Sequence, residues 1–533
     1  MYRKKHVLGR PLFKNHIPVF AFFSLLTLIG LFNFKKYGIA WDSPALRLNG
    51  GNALIYIADL FHLNIVPTQY RDFPAMGVNG MADHGVAYDA PLGALEVMLG
   101  LKDPMLIYQF RTLVNFIVFM IGTLALYFIV KRRLFSMKLA ILACAFYVLS
   151  PRIFAAGFYN PADMPFTSFF LLGVNLSLRF LDKPNFKNAI WAGIVCGYAT
   201  DIRLLGIIIF PIVFLLYMIK HFSNHQRKNH FLSPLGIYLV LGISSIYLFY
   251  PYLWANPLKR FLEVFSSLSR YSWGGSNLYF GELIPANDLP WHYAPVWILI
   301  TTPILYIFFF GIGVFFIITK FIKNRLIDFN FIQDAMFLTL VFAPILMVIF
   351  LNSVLYDSWR HLYFIYPYVI VVSVIGWESI ALKKKKFFDL YTAKIFLTLI
   401  LLSQTATWMI LNNPHQYLYF NSLAGSVSLE KKWEMDYWGL GNKEGLQYIF
   451  SRNSNSVITI GVASFTPFDM SLKTLPNKYS KRISVVSISE NPDYIVNNFR
   501  LVAKPLIDFP GYSILKIFTV DNSRYLEIWE RNQ

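Results

Sequence analysis

The sequence predicts a polytopic α-helical membrane protein of about eleven transmembrane helices with a soluble α/β domain at its C-terminal end. Three observations carry the prediction. Of the 533 residues, 56% are hydrophobic and 14% charged, and the mean hydropathy is +0.48, more apolar surface than a water-soluble domain buries. Apolar runs of roughly 20 residues, the length that crosses a hydrocarbon core, recur through the first 412 positions and then stop. Lys and Arg cluster in alternate connections between those runs.

Taken in order, the runs lie near 17–34, 104–130, 137–150, 163–181, 189–202, 204–222, 235–254, 295–319, 331–352, 362–381 and 393–412. The two shortest, 137–150 and 189–202, fit a half-inserted or re-entrant helix as well as a span. Arg3, Lys4, Lys5, Arg10 and Lys14 precede the first run. Lys131 to Arg133, Lys183 and Lys187, Arg227 and Lys228, Lys320, Lys323 and Arg325, and Lys383 to Lys386 occupy alternate connections further on. By the positive-inside rule these segments and the N-terminus are cytoplasmic, and the other connections and the C-terminal segment lie outside. Lys35 and Lys36 follow the first run with no convincing cleavage site, which favours an uncleaved anchor.

Much of the net charge of +19 belongs to those cytoplasmic connections. Topology and anionic lipid headgroups account for it without nucleic acid. Cys144 and Cys196 both fall in predicted spans, so neither a disulfide framework nor a zinc site is expected. No internal repeat is visible, which weighs against transporters built from repeated halves.

Residues 1–412 therefore form the transmembrane unit, with large outward loops at 35–103 and 255–294. Residues 413–533 read as an extracytoplasmic α/β domain, with β-rich runs at 457–462, 482–489, 512–520 and 524–531 and helices near 442–452 and 492–500.

Long outward loops are where binding and catalytic groups collect. Asp42, in YGIAWDSPALRLNGG, lies just beyond the outer end of the first span, where a carboxylate meets both water and the membrane plane. It suits a general base that takes a proton from an attacking hydroxyl, and Asp-Ser-Pro equally suits a helix start. Asp83, His84 and Asp89, in MADHGVAYDAPLG, could hold a divalent cation or contact an acceptor, although the spacing matches no tight metal motif and a helix-capping Asp89 explains it as well. Trp273, Trp291 and His292 in the second loop could stack on a sugar, but an interfacial aromatic belt accounts for them more simply.

Ionisable residues inside spans cost about 2.5–3.5 kcal/mol each on insertion scales, so Arg111, Asp163, Asp201, Arg203 and Asp334 must face protein or a wet cavity. Arg360 and His361, in YDSWRHLYFIYP, lie at the outer end of another span. Arg203, Arg360 and Arg111 could neutralise a phosphate there, since guanidinium presents fork-shaped donors. Asp201 with Arg203 could equally form a structural salt bridge.

These segments resemble the protein O-mannosyltransferase-like family of the GT-C superfold, including its bacterial lipid A-modifying members. In that family an acidic residue follows the first span, the place of Asp42, and a segment resembling His-Pro-Pro-Leu ends the same loop, the place of YDAPLG at 88–93. Arg111, Asp163, YPYLWANP at 250–257, WRHLYFIYP at 359–367 and the stretches HQYLYFNSLAG and DYWGLGNKEGLQYI within 415–449 continue the likeness. The family's acidic pair is Asp42-Ser43 here, and the His-Pro-Pro-Leu segment lacks its histidine and one proline.

The resemblance implies a GT-C-like glycosyltransferase, hexosyl or pentosyl, that uses a polyprenyl-phosphate sugar donor and a glycan, lipid or protein acceptor at the outer face of a bacterial inner membrane. It further implies Asp42 as catalytic base and Arg111, Arg203, Arg360, His361 and Asp163 around the donor phosphate or sugar. A divalent cation near Asp83 and Asp89 would share the phosphate charge. A transporter or flippase of a lipid-linked sugar is the competing expectation, and it would form no glycosidic bond.

Overall fold

The computed structural model describes residues 16–63, 84–223, 232–269, 273–323, 327–380, 390–425, 428–453, 457–466, 468–500 and 509–532. Helices occupy all eleven expected places. Eight are long and apolar enough to cross a membrane: Pro104–Leu134, Asp163–Asp182, Leu204–Ser223, Leu232–Phe249, Ile304–Lys323, Phe329–Phe350, Arg360–Ser379 and Tyr391–Leu411. Met137–Val148 and Pro151–Tyr159 make a ninth if taken as one span bent by 71°. The chain is an integral membrane protein.

The count among the described residues is thus eight or nine rather than eleven, for local reasons. Ile17–Asn33 and Phe186–Ile202 are 17 residues each, shorter than a full span. The run at 137–150 ends at Leu149, and Pro151, which has no amide hydrogen to continue a ladder, opens a new helix in another direction. The run at 295–319 breaks before Pro303, where Thr302 takes extended angles (φ −99°, ψ 136°), as residues preceding proline tend to. Elsewhere the ends follow capping chemistry. Asp103 accepts from the Met105 amide at 2.9 Å ahead of Pro104, and Lys131, Arg132 and Arg133 fill the last turn, opposite the helix dipole's negative end.

Helix packing uses small residues where backbones approach. Gly193 and Gly197, four apart, lie on one face of Phe186–Ile202, and a side chain at either would strike the carbonyl of Tyr238 or Gly242 on Leu232–Phe249. Asp334, fully buried, is held by Arg133 through two hydrogen bonds of 2.6 and 2.8 Å and by Lys320 at 3.5 Å. That pairing compensates its intramembrane charge and ties three helices together at the end expected to be cytoplasmic.

Strands are short and few. β1 (Ser276–Tyr279) and β2 (Glu282–Pro285) form an antiparallel hairpin in the second loop. The C-terminal segment carries a mixed sheet of order β4-β3-β5-β7-β6, from β3 (Ile458–Val462), β4 (Ile483–Val485), β5 (Tyr494–Asn497), β6 (Tyr512–Val520) and β7 (Ser523–Arg531). β3 pairs in parallel with β4 and β5, and β7 is antiparallel to both β5 and β6. Helix Asn442–Arg452 falls where expected. The helix expected at 492–500 is instead β5, buried along its whole length in the middle of the sheet. A short apolar run with β-branched Ile495 and Val496 reads alike as buried strand or helix, and only its neighbours decide.

Candidate functional site

Four helix ends converge at one end of the bundle and bring together residues far apart in sequence. Asp42 occupies the N-cap position of Ser43–Leu60, yet its carboxylate makes no capping hydrogen bond. It faces Arg360, Oδ2 to Nη2 3.5 Å. The helix-start reading of Asp-Ser-Pro therefore holds for the backbone, while the side chain stays free for chemistry.

Arg360 opens the 3-10 turn Arg360–Ile365 and is 1% exposed. Three carboxylates surround its guanidinium. Asp163 hydrogen-bonds Nη1 at 3.1 Å, Asp42 lies 3.5 Å from Nη2, and Asp357 lies 3.6 Å from Nε. The ring faces of Tyr356 and Trp438 lie 4.6 and 4.8 Å from it. Arg360 is thus anchored by Asp163 on one nitrogen, while its Nε, buried, has no hydrogen-bond acceptor among the described residues. A phosphate oxygen could take that edge of the fork.

Asp163 starts Asp163–Asp182, and Asn160 fixes it by accepting from its amide at 2.8 Å and donating to its Oδ2 at 2.9 Å. Its Oδ1 pairs with Arg203 at 2.7 Å. The expected pairing of Asp201 with Arg203 is not formed. Asp201 accepts from the Ala87 amide at 2.7 Å, and its backbone packs so tightly on Gly85 that any Cβ there would overlap its carbonyl. His361 joins the cluster edge-on to Tyr356, ring centroids 4.7 Å apart. Trp273 stacks on the same Tyr356 at 4.7 Å, which brings the second loop to the site, whereas Trp291 stands exposed elsewhere.

Arg111 belongs to a different group. Its Nη1 pairs with Asp89 at 2.7 Å and its Nε with Glu96 at 2.5 Å, and Glu96 also pairs with Arg47 at 2.9 Å. This buried network pins Asp89–Met98 and Ser43–Leu60 to Pro104–Leu134, so the structure gives Arg111 and Asp89 structural partners. The His84 carbonyl accepts from the Asn49 amide at 3.0 Å, Asp83 lies outside the described residues, and no metal-competent cluster occurs among the described residues.

Behind Asp42, a cleft open to solvent is lined by Ala40, Ser43, Tyr88, Arg111, Phe158 and Tyr159 among others. A second cleft shares Gly38, Ile39, Tyr108 and Thr112 with it and reaches Lys443 and Lys473. Together they form a groove along the first turns of Pro104–Leu134.

Sequence reasoning missed Asp357, Glu434, Tyr437, Trp438 and Arg500. Asp357 and Ser358 are consecutive non-glycine residues with left-handed angles (φ 55° and 59°), a strained turn that holds Asp357 against Arg360. Burial pushes Asp357 up to about 7 against the pull of Arg360, and pushes Glu434 up to about 8 against the pull of Arg500, which lies 3.8 Å away. Both groups bind a proton more tightly folded than unfolded. Their contribution to stability is therefore complete at acid pH and is lost as pH rises toward and through about 7 and about 8, by roughly 1.4 kcal/mol per pH unit per group. Glu434→Gln is expected to match wild type in thermal unfolding near about pH 4 and to exceed it by a margin that grows up to about pH 8, a comparison made by calorimetry across that range. Parallel curves would mean that Glu434 ionises in the folded protein as it does in the unfolded chain.

No curated protein matches the chain. In overall shape it is similar to ArnT from Cupriavidus metallidurans bound to undecaprenyl phosphate, at TM-score 0.49 and 11% identity over 96% of this chain and 98% of that one. It is also similar to the Archaeoglobus fulgidus oligosaccharyltransferase in its apo form, at TM-score 0.46 and 12% identity over 92% of this chain and 70% of that one. The archaeal oligosaccharyltransferase AglB from Archaeoglobus fulgidus, in complex with an inhibitory peptide and a dolichol-phosphate, gives TM-score 0.43 and 13% identity over 92% of this chain and 70% of that one. Residues 110–254, which include Arg111, Asp163 and Arg203 and leave out Asp42 and Arg360, match the family model of dolichyl-phosphate-mannose-protein mannosyltransferases.

Proposed function

We propose that this protein is a membrane glycosyltransferase that moves a hexose or pentose from a polyprenyl-phosphate donor to a hydroxyl of a lipid, glycan or protein acceptor. The observation that carries the reading is the pairing of the Asp42 carboxylate, its side chain 35% exposed and free of any capping bond, with a buried Arg360 whose Nε has no hydrogen-bond acceptor among the described residues. The family match over residues 110–254 supports the donor class.

In this scheme the acceptor hydroxyl gives its proton to Asp42 as its oxygen attacks the anomeric carbon. The bond from that carbon to the phosphate oxygen breaks, its electron pair leaves with the polyprenyl phosphate, and the configuration inverts. Arg360, with Arg203 beside it on Asp163, takes up the charge developing on the phosphate, the largest electrostatic task of the step. The isoprenoid chain would lie in the groove behind Asp42, against Tyr88, Leu92, Phe158 and Tyr159. Residues 1–412 would form the transmembrane catalytic unit, with the N-terminus cytoplasmic. Residues 413–533 would form an extracytoplasmic α/β domain, and the membrane would be the inner membrane of a bacterium.

The test is glycosyl transfer by purified protein in lipid vesicles, with a panel of undecaprenyl-phosphate-linked hexoses and pentoses and membrane extract as acceptor. A new glycosidic bond, with release of undecaprenyl phosphate, is expected. Movement of the donor between leaflets with no product from any member of the panel would replace this reading with that of a flippase.

A further inference from the structure

The turn that carries Asp42 is held by the C-terminal segment at three successive points. Lys443 Nζ donates to the Tyr37 carbonyl at 3.1 Å. Gly38 passes so close to Leu440 that a Cβ would sit 2.9 Å from its carbonyl oxygen. Trp41, the residue before Asp42, meets Tyr437 edge-on at 5.3 Å and Phe465 edge-on at 6.2 Å. Between Trp41 and Tyr437 lies the Arg500 guanidinium, 3.8 Å from one ring and 3.9 Å from the other.

Arg500 is costly where it stands. It is 2% exposed, and its Nη1 donates to the Tyr437 carbonyl at 3.2 Å. Among the described residues Nε and Nη2 are buried without acceptors, and its carboxylate neighbour Glu434 lies 3.8 Å off, beyond hydrogen-bond reach. A buried guanidinium so incompletely bonded stabilises less than an apolar side chain of the same volume would. What it supplies that an apolar residue cannot is a flat cation that fixes two aromatic faces in one orientation. Tyr437 and its neighbour Trp438 also cover Arg360, at 5.9 and 4.8 Å. One aromatic wall therefore touches both the residue before the base and the phosphate-binding arginine.

We propose that Arg500 is a positioning residue: by clamping Trp41 against Tyr437 it holds Asp42 at its working distance from Arg360, so that transfer depends on docking of the C-terminal segment. The effect on transfer rests on the glycosyltransferase reading; the clamp itself does not. The experiment compares wild type, Arg500→Met and Arg500→Lys in lipid nanodiscs by two measurements. The first is amide exchange of residues 38–46 by mass spectrometry. The second is kcat and KM for whichever undecaprenyl-phosphate-linked sugar the wild type uses.

Arg500→Met is expected to exchange faster over 38–46 while the transmembrane helices keep their protection. Its kcat should fall roughly 10- to 100-fold at a donor KM within about twofold, the mark of a misplaced base rather than a lost binding contact. Arg500→Lys, which keeps a cation on the rings, should recover part of both. If Arg500→Met does not fold, the same two readouts on Arg500→Lys decide, with an intermediate loss expected. Unchanged exchange over 38–46, or a kcat equal to wild type, overturns the proposal. Faster exchange in a protein whose wild type transfers no sugar upholds the clamp and removes the transferase reading instead.

Discussion

Asp42→Asn is expected to fold like wild type and to lose transfer by roughly 10²- to 10⁴-fold, the range over which a positioned general base contributes. Folding should survive because the carboxylate caps no helix and hydrogen-bonds to nothing in its own turn, and the helix start is made by backbone and Pro44. Its ion pair with Arg360, at 3.5 Å and partly open to solvent, adds little to stability. Donor binding should hold or improve, because one of three carboxylates competing with phosphate for the Arg360 guanidinium is removed. The signature is thus a collapse of kcat with donor KM equal to or below that of wild type, read by single-turnover product formation in vesicles. A variant within about threefold of wild type would remove Asp42 from the chemistry and point to Asp357, another of the three carboxylates on that guanidinium, as the base to test next.

What could be read from the sequence divides by the range of the interaction. Spans were legible because apolar length is a local property, and their count differs at the short helices Ile17–Asn33, Phe186–Ile202 and Met137–Val148, whose ends the sequence alone did not fix. Asp42, Asp163, Arg203 and Arg360 stood out because a charge at the end of an apolar run must be compensated. Which charge compensates which was not legible. Asp201 and Arg203 look like partners by proximity, yet residues two apart do not face each other, and Arg203, extended at the C-cap of Phe186–Ile202, reaches Asp163 instead. Arg111 had the right residue type for a phosphate site, and the sequence did not show that Asp89 and Glu96 hold its Nη1 and Nε.

The aromatic wall was the least legible part. Trp41 and Arg500 are brought together only by the tertiary fold, and no periodicity or spacing records a contact between segments that distant. Reading 492–500 as a helix also hid Arg500, since β5 ends at Asn497 and delivers the next residues toward the site. The signal that could have exposed this wall is compositional: an aromatic pair, Tyr437-Trp438, beside acidic Glu434 and Asp436 in a segment otherwise destined for a small soluble sheet.

Replacing Arg360 should have the other large effect, and the choice of replacement separates structure from chemistry. Arg360→Gln leaves buried Asp163 with Arg203 alone and removes from Asp357 its strongest cationic neighbour, with Arg152 next, and breaking a buried ion pair from one side costs about 3–5 kcal/mol, enough to lower the unfolding temperature sharply. Arg360→Lys keeps one positive charge in the cage but offers a point charge where the guanidinium meets three carboxylates on three nitrogens and stacks between Tyr356 and Trp438. Most of the stability should therefore return with Lys while kcat stays down by roughly 10²- to 10³-fold, because transition-state charge on the phosphate loses its forked donor. Asp163→Asn added to Arg360→Gln supplies the control. If the cost of Arg360→Gln is an unpaired carboxylate, the double variant regains stability that the single one lost, a coupling measurable by a double-mutant cycle of unfolding temperatures, yet it stays inactive. An Arg360→Lys protein with full turnover would mean that charge alone suffices at this position, and the Nε edge of Arg360, beside Asp357, would then have no part in holding the phosphate.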